Sequence, residues 1–244
     1  MGKSKHLKKI DDIMKKIVDL YFLCNQQYLL LKPLMEDKSI YSIWDHSEGT
    51  EGVSVLRLIM WQSLLSQIYG ILFDQDNRSV SLSNVMKGLE NENLACEARK
   101  IFCTPTGVTP IIIDGTKEDE DRIIKQVQQE DVKHKESVFD KTLSEIKEKY
   151  SKLIDSPLVE RIKSLRDKII AHSELKFSEE DGSRRLYNPR DFSASWRDIE
   201  NLLEISPHII FKANLLVTNS SYQVDSFVTH NENVARTFWS KVKG

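Results

Sequence analysis

The stretch that most constrains this chain is Ser156–Glu174, S-P-L-V-E-R-I-K-S-L-R-D-K-I-I-A-H-S-E. Ser156 followed by Pro157 marks a helix start: the serine oxygen accepts from free N–H groups, and proline is pre-set for the first helical position. From there Leu158, Ile162, Leu165, Ile169 and His172 recur at spacings of four, three, four and three. That is a single apolar seam on one helix, of the kind that packs against a partner helix. The seam ends in a histidine, with Arg166 and Asp167 about a turn and a half before it. The rest of the chain has to supply what holds this segment up.

It supplies more helices. Residues 5–35 carry Leu7, Ile10, Ile13, Met14, Ile17, Val18 and Phe22 at helical spacing, with Pro33 expected to end or kink the run. Residues 37–52 read as a short irregular connection closed by Gly49 and Gly52. Val53–Phe73 is the most apolar segment and is expected to lie centrally. After a polar turn at Asp74–Arg78, Ser81 reads as the cap of a third helix to about Leu89, and Asn93–Phe102 as a short fourth one. Thr104–Gly115, with two prolines and two glycines, reads as a loop or a short extended piece. A long charged amphipathic helix follows over 117–152, with a break expected near Asp131 or Ser137 and a solvated acidic first turn at 117–122. Beyond the seam, 177–192 reads as a polar loop. Ser195 to about Val217 reads as a helix bent or split by Pro207, and Val234–Val242 as a short aromatic helix. The expectation is an all-α bundle in one domain, 1–244, with its core at about 5–103 and 138–217. A charged insertion would fill about 104–137, and 218–244 would be a loosely defined tail.

The net charge of −2 excludes a generally basic nucleic-acid coat, so any RNA contact has to come from a local basic patch. Cys24, Cys96 and Cys103 form no C-x-x-C pair and suit a reducing cytoplasm. No targeting segment is expected. Val53–Phe73 has membrane length, but Arg57, Gln62 and Gln67 favour a buried helix over a membrane span. His6, His46, His134, His208 and His230 show no ligand spacing, so neither metal nor cofactor is expected.

The chemistry therefore concentrates on the seam. The His172 imidazole titrates near neutral pH and can take or give a proton during phosphoryl transfer. Arg166 offers a planar, permanently charged fork suited to a phosphate or a phosphorane. Asp167 could orient either one. Lys168, four residues before His172 on the same helical face, adds positive charge. In a straight helix, Arg166 and His172 stand roughly 120° apart around the axis and about 9 Å apart along it. Two copies packed antiparallel along the Leu158–Ile169 seam would bring both pairs into one cleft, which favours a symmetric dimer. The same residues also fit a structural role, with a buried histidine closing an apolar stripe and an arginine–aspartate surface ion pair. Arg184, Arg185 and Arg190 are candidates for guiding phosphates, and Lys3, Lys5, Lys8 and Lys9 read as a solvated helix start.

The run Arg166-Asp167-Lys168-Ile169-Ile170-Ala171-His172 resembles the signature of the HEPN superfamily, an arginine, four to six residues, then a histidine. The form R-D-K-x-x-A-H, preceded here by Leu72-Phe73-Asp74-Gln75-Asp76-Asn77-Arg78 and then Ser81-Leu82, resembles the abortive-infection (AbiU-type) subgroup. The resemblance implies a metal-independent endoribonuclease of phage-defence or toxin–antitoxin type, with a composite site between two protomers. His172 would then be the acid/base, Arg166 the phosphate clamp and Asp167 the orienting residue. Lys168, Arg184, Arg185 and Arg190 would contact RNA, and an antitoxin or regulatory protein is a further possible partner. The alternative is a non-catalytic HEPN-like module that binds RNA, a nucleotide or a protein. Some HEPN toxins carry a tyrosine two residues after the histidine, where a partner enzyme modifies it. Glu174 stands there in this chain, which puts that control in doubt.

Overall fold

The computed structural model describes residues 2–44, 47–105, 116–171, 175–177, 184–186 and 194–243. The architecture is all-α, with one pair of three-residue strands among the described residues. Helix α1, Lys5–Glu36, runs through the middle and is flanked by α3 (Gly49–Phe73), α8 (Trp196–Thr218) and α9 (Val224–Lys243). Ser4 caps α1 by accepting from Leu7 N at 3.2 Å. Leu7, Ile10, Met14, Ile17, Val18 and Phe22 are all buried, as their spacing requires. Burying each such side chain favours folding by about 1.5–3 kcal/mol. Pro33 stays inside the helix and neither ends nor replaces its last turn, since Asp37 N donates to Pro33 O at 2.9 Å.

Between α1 and α3 the expected irregular connection is instead largely wound, as α2 (Lys38–Tyr41) and a 3-10 turn (Ser42–Trp44). Gly49 and Gly52 belong to the first turn of α3 rather than to a loop. Helix α3 is central only over its second half. Trp61, Leu64, Leu65, Ile68 and Leu72 are buried, whereas Val55, Leu56, Leu58 and Ile59 are exposed at 49, 48, 47 and 57%. By length and composition α3 is also the one described helix long and apolar enough to cross a membrane.

Helix α4 (Leu82–Glu90) starts at the expected Ser81 cap, and α5 (Glu92–Phe102) starts on Asn91. The loop expected over 104–115 lies outside the described residues from 106 on. Helix α6, Lys117–Ile154, is unbroken: the place expected to break is spanned by an Asp131–Lys135 ion pair at 2.8 Å, one turn apart. Its second half docks on α8 and α5 and buries Phe139, Ile146, Tyr150 and Leu153, with Phe139 against Phe102 of α5 and Tyr150 against Phe73 of α3. At the surface of that contact Glu145 accepts from Lys212 at 2.5 Å, lies 2.8 Å from His208 Nε2 and pairs with Lys149 at 3.2 Å. These cations, Lys212 first, hold the Glu145 carboxyl down to about 2.

Pro207 does not split α8. It has no N–H to give Leu203 O, and the Tyr21 hydroxyl from α1 donates to that oxygen instead, at 3.5 Å. The C-terminal segment is not loose. Helix α9 begins ten residues earlier than the aromatic run suggests and lies on α1. There Asn231 Nδ2 donates to buried Asn25 Oδ1 at 3.1 Å, and Trp239 Nε1 donates to Leu30 O at 3.0 Å. Asn219, in left-handed conformation at φ 56°, closes α8 before it.

Candidate functional site

Ser156 caps α7 (Pro157–Leu165) as its sequence predicts, its Oγ accepting from Val159 N at 3.4 Å, and Pro157 opens the helix. Val159, Ile162 and Leu165 are buried within the chain, and α7 packs on α3. Two of the seam residues, Ile162 and Leu165, are therefore packed intramolecularly, while Leu158 at its start is only partly buried. The α-helix also does not run on to Glu174. It ends at Leu165, and Arg166–Ala171 form a π-helical turn. Such turns, closed from i to i+5, are rare and frequently fall at functional sites. The change of winding begins at Arg166 itself.

The Arg166 side chain turns onto α3. Its Cζ lies 5.0 Å from the centroid of the Tyr69 ring, and Nη1 donates to Asp167 Oδ1 at 3.3 Å. A guanidinium over an aromatic face is stabilised by about 0.5–2 kcal/mol, the more so as water is excluded. Here the arginine is 31% exposed, so the cation is held in place yet open to a ligand. Of its five donors, one is given to Asp167 among the described residues. The Tyr69 ring is itself buttressed: Phe73 lies 5.4 Å away and Tyr150 stacks on Phe73 at 6.4 Å. The Tyr150 hydroxyl donates to Leu72 O at 2.9 Å. Burial pushes Tyr150 up to about 12. Burial, then the Asp167 charge, pushes the Tyr69 phenol up against the opposing pull of Arg166, so the ring that carries the cation stays neutral at physiological pH.

The other expected site residues divide. Asp167 accepts one hydrogen bond from Arg166. Lys168 lies half-buried on the same π-helical turn. Its alignment with position 172 presupposed an α-helix, which the chain has left by then. His172 and Arg190 lie outside the described residues. The polar loop expected over 177–192 contains a short strand, β2 (Arg184–Leu186), antiparallel to β1 (Leu175–Phe177) just before it. In the register Arg184 is paired with Phe177 and Arg185 with Lys176.

The second motif element, Leu72–Arg78, meets the first here, because the end of α3 packs on the π-helical turn. Asp74 O accepts from Ser81 Oγ at 2.6 Å, and Arg78 grips Asp76 through Nε at 3.2 Å and Nη2 at 2.9 Å. Tyr69 is the residue that sequence reasoning missed. Its signal was its place four residues before Phe73, on the same face of α3 as a motif residue. Beside Tyr69 a cleft of about 290 Å³ opens between α3 and α7, with Gln75, Asp155, Glu160 and Lys163 at its edge. One lysine against two carboxylates makes this side unattractive to a polyanion.

A helical bundle in which an R-D-K-x-x-A-H segment is carried against the end of a second long helix defines a HEPN-type protein. The family model of AbiU2, a HEPN-type family, matches residues 4–238, and the chain belongs to that family. No curated protein matches the chain, and no solved structure does.

Proposed function

We propose that this chain is a metal-independent endoribonuclease of abortive infection or of a toxin–antitoxin pair. The observation that carries the reading is the Arg166 guanidinium, fixed over Tyr69 and steered by Asp167 while a third of it remains open to solvent. Membership of the AbiU2 family supports the same reading. Cleavage of RNA without a metal requires charge stabilisation at phosphorus and proton transfer at two oxygens. The Arg166 fork would receive the non-bridging oxygens. The neutral imidazole of His172 would take the 2′-hydroxyl proton as that oxygen attacks phosphorus in line. The imidazolium so formed would return that proton to the leaving 5′-oxygen, and the fragment upstream would keep a 2′,3′-cyclic phosphate. A homodimer with a site composed from both protomers is part of the proposal.

The test is cleavage of a panel of RNAs in EDTA by the wild type, Arg166→Ala and His172→Ala, with folding verified by circular dichroism. Cleavage by the wild type alone, leaving cyclic phosphate ends, is the expected result. Equal cleavage by all three would place the chemistry elsewhere. Tight RNA binding with no cleavage by any of them would favour the non-catalytic binding module.

A further inference from the structure

A polynucleotide must reach Arg166, and the cleft on the α7 side carries more negative than positive charge. The opposite approach differs in sign. On the exposed side of the first turns of α1, a groove of about 390 Å³ is lined by Lys5, Lys8, Lys9 and Lys16, with Asp12 as its one carboxylate and Val80 as its floor. In a chain of net charge −2 this is a local concentration of positive charge. The neighbouring lysines are already engaged: Lys3 and Lys15 both clasp the buried Asp11 carboxylate, at 2.6 and 2.7 Å. Lys16 pairs with Asp19 at 3.3 Å, an exposed contact of little worth. Lys5, Lys8 and Lys9 have no carboxylate within ion-pair distance among the described residues, so their charge faces the groove uncompensated. The groove is also connected to the site. Val80 is shared with a second depression lined by Gly70 on the last turns of the helix that carries Tyr69 and by Asp74 and Ser79 in the turn after it. Lys9 Nζ reaches Asn77 O, 3.4 Å away, in the turn between them.

We propose that this α1 groove is a binding site for the phosphate backbone of single-stranded RNA, holding the strand beside the end of α3 that carries Tyr69. The proposal rests on the endoribonuclease reading for its ligand. Lysines are point charges on flexible stems, so they position phosphates without reading bases. The groove binds RNA of any sequence, and its contribution is salt-dependent, with a slope of about 0.7 per phosphate neutralised on a single strand. Alanine is the best helix former, so removing the three ammonium groups leaves α1 intact.

The experiment measures anisotropy of a fluorescein-labelled, 2′-O-methylated 20-nucleotide RNA, which cannot be cleaved, against the wild type and Lys5→Ala/Lys8→Ala/Lys9→Ala. A control with equal charge loss, Lys125→Ala/Lys133→Ala/Lys141→Ala on exposed α6, accompanies them. The groove variant should bind at least roughly 10-fold more weakly, with its salt slope reduced by about 2, while the control changes less than about 2-fold. Equal weakening in both variants, unchanged binding in the groove variant, or no binding by the wild type would each overturn the groove. So would displacement of the RNA by polyglutamate at equal charge concentration, which would assign the surface to an acidic protein. Parallel cleavage assays separate the two readings. Cleavage with groove-independent binding overturns the groove alone. Groove-dependent binding without cleavage by the wild type overturns the nuclease and leaves the groove as an RNA site.

Discussion

Arg166 owes its position to a single ring. Its charge would be as well solvated elsewhere on the surface, and the Asp167 contact alone, between adjacent residues, leaves the side chain many directions. Tyr69 removes that freedom, and Phe73 and Tyr150 behind it keep the ring from turning away. The ring matters here for its π face and not for its hydroxyl, which predicts a separation between two conservative variants. Tyr69→Phe should cleave RNA within about 3-fold of the wild type. Tyr69→Leu fills similar space without a π face, and its cleavage should fall by about 5- to 30-fold, the rate equivalent of a partly desolvated cation–π contact. Single-turnover rates well below the melting temperature of each variant measure this. A Tyr69→Leu variant as fast as the wild type would mean that the platform does not serve the site. Sequence spacing pointed to Arg166 and Asp167 but not to the ring, because the contact joins positions nearly a hundred residues apart and leaves no periodic trace.

The helices show where local signals suffice and where tertiary contacts take over. Ser81 and Ser156 cap helices as their positions foretell, because a cap is a contact between residues three apart. The π-helical turn was illegible, since Leu165, Ile169 and His172 fit an α-helical period equally well on paper. Helix α9 was legible only in its aromatic second half. Its earlier turns are polar, and they are tied down by Asn231 meeting Asn25 from α1. Pro207 is the sharpest case: the expected break does not occur because another helix supplies the missing hydrogen bond. A double-mutant cycle measures this. Tyr21→Phe leaves buried Leu203 O without its donor and should cost about 1 kcal/mol of stability. In the Pro207→Ala background, residue 207 regains an N–H that can serve Leu203 O, so Tyr21→Phe should become nearly neutral. Denaturant melts give both numbers, and an unchanged cost in the Pro207→Ala background would show that Tyr21 does not stand in for that N–H.

At the scale of the whole molecule the open matter is how two copies would meet. Two residues of the seam that suggested an antiparallel dimer, Ile162 and Leu165, are fully buried inside the chain. The exposed aliphatic face of α3, Val55 to Ile59, lies ten to fourteen residues before Tyr69, about 15–21 Å along the helix. Antiparallel pairing across that face alone would hold the two Arg166 corners on the order of 30 Å apart, too far for one phosphate. The proposed composite site is expected where the copies meet around α7 and its π-helical turn, each cleft taking Arg166 from one chain and His172 from the other. Complementation tests this directly. Arg166→Ala and His172→Ala chains, carrying different affinity tags, are co-expressed and the mixed dimer is isolated by tandem purification. Each homodimer should be inactive. The mixed dimer contains one cleft with both wild-type groups and one with neither, so it should recover about half of the wild-type rate. A site built within a single chain has no intact copy in that mixed dimer, and its activity would stay at the level of the homodimers. That outcome would retain the nuclease and discard the shared site, leaving the α3 face as the surface for pairing two self-sufficient protomers.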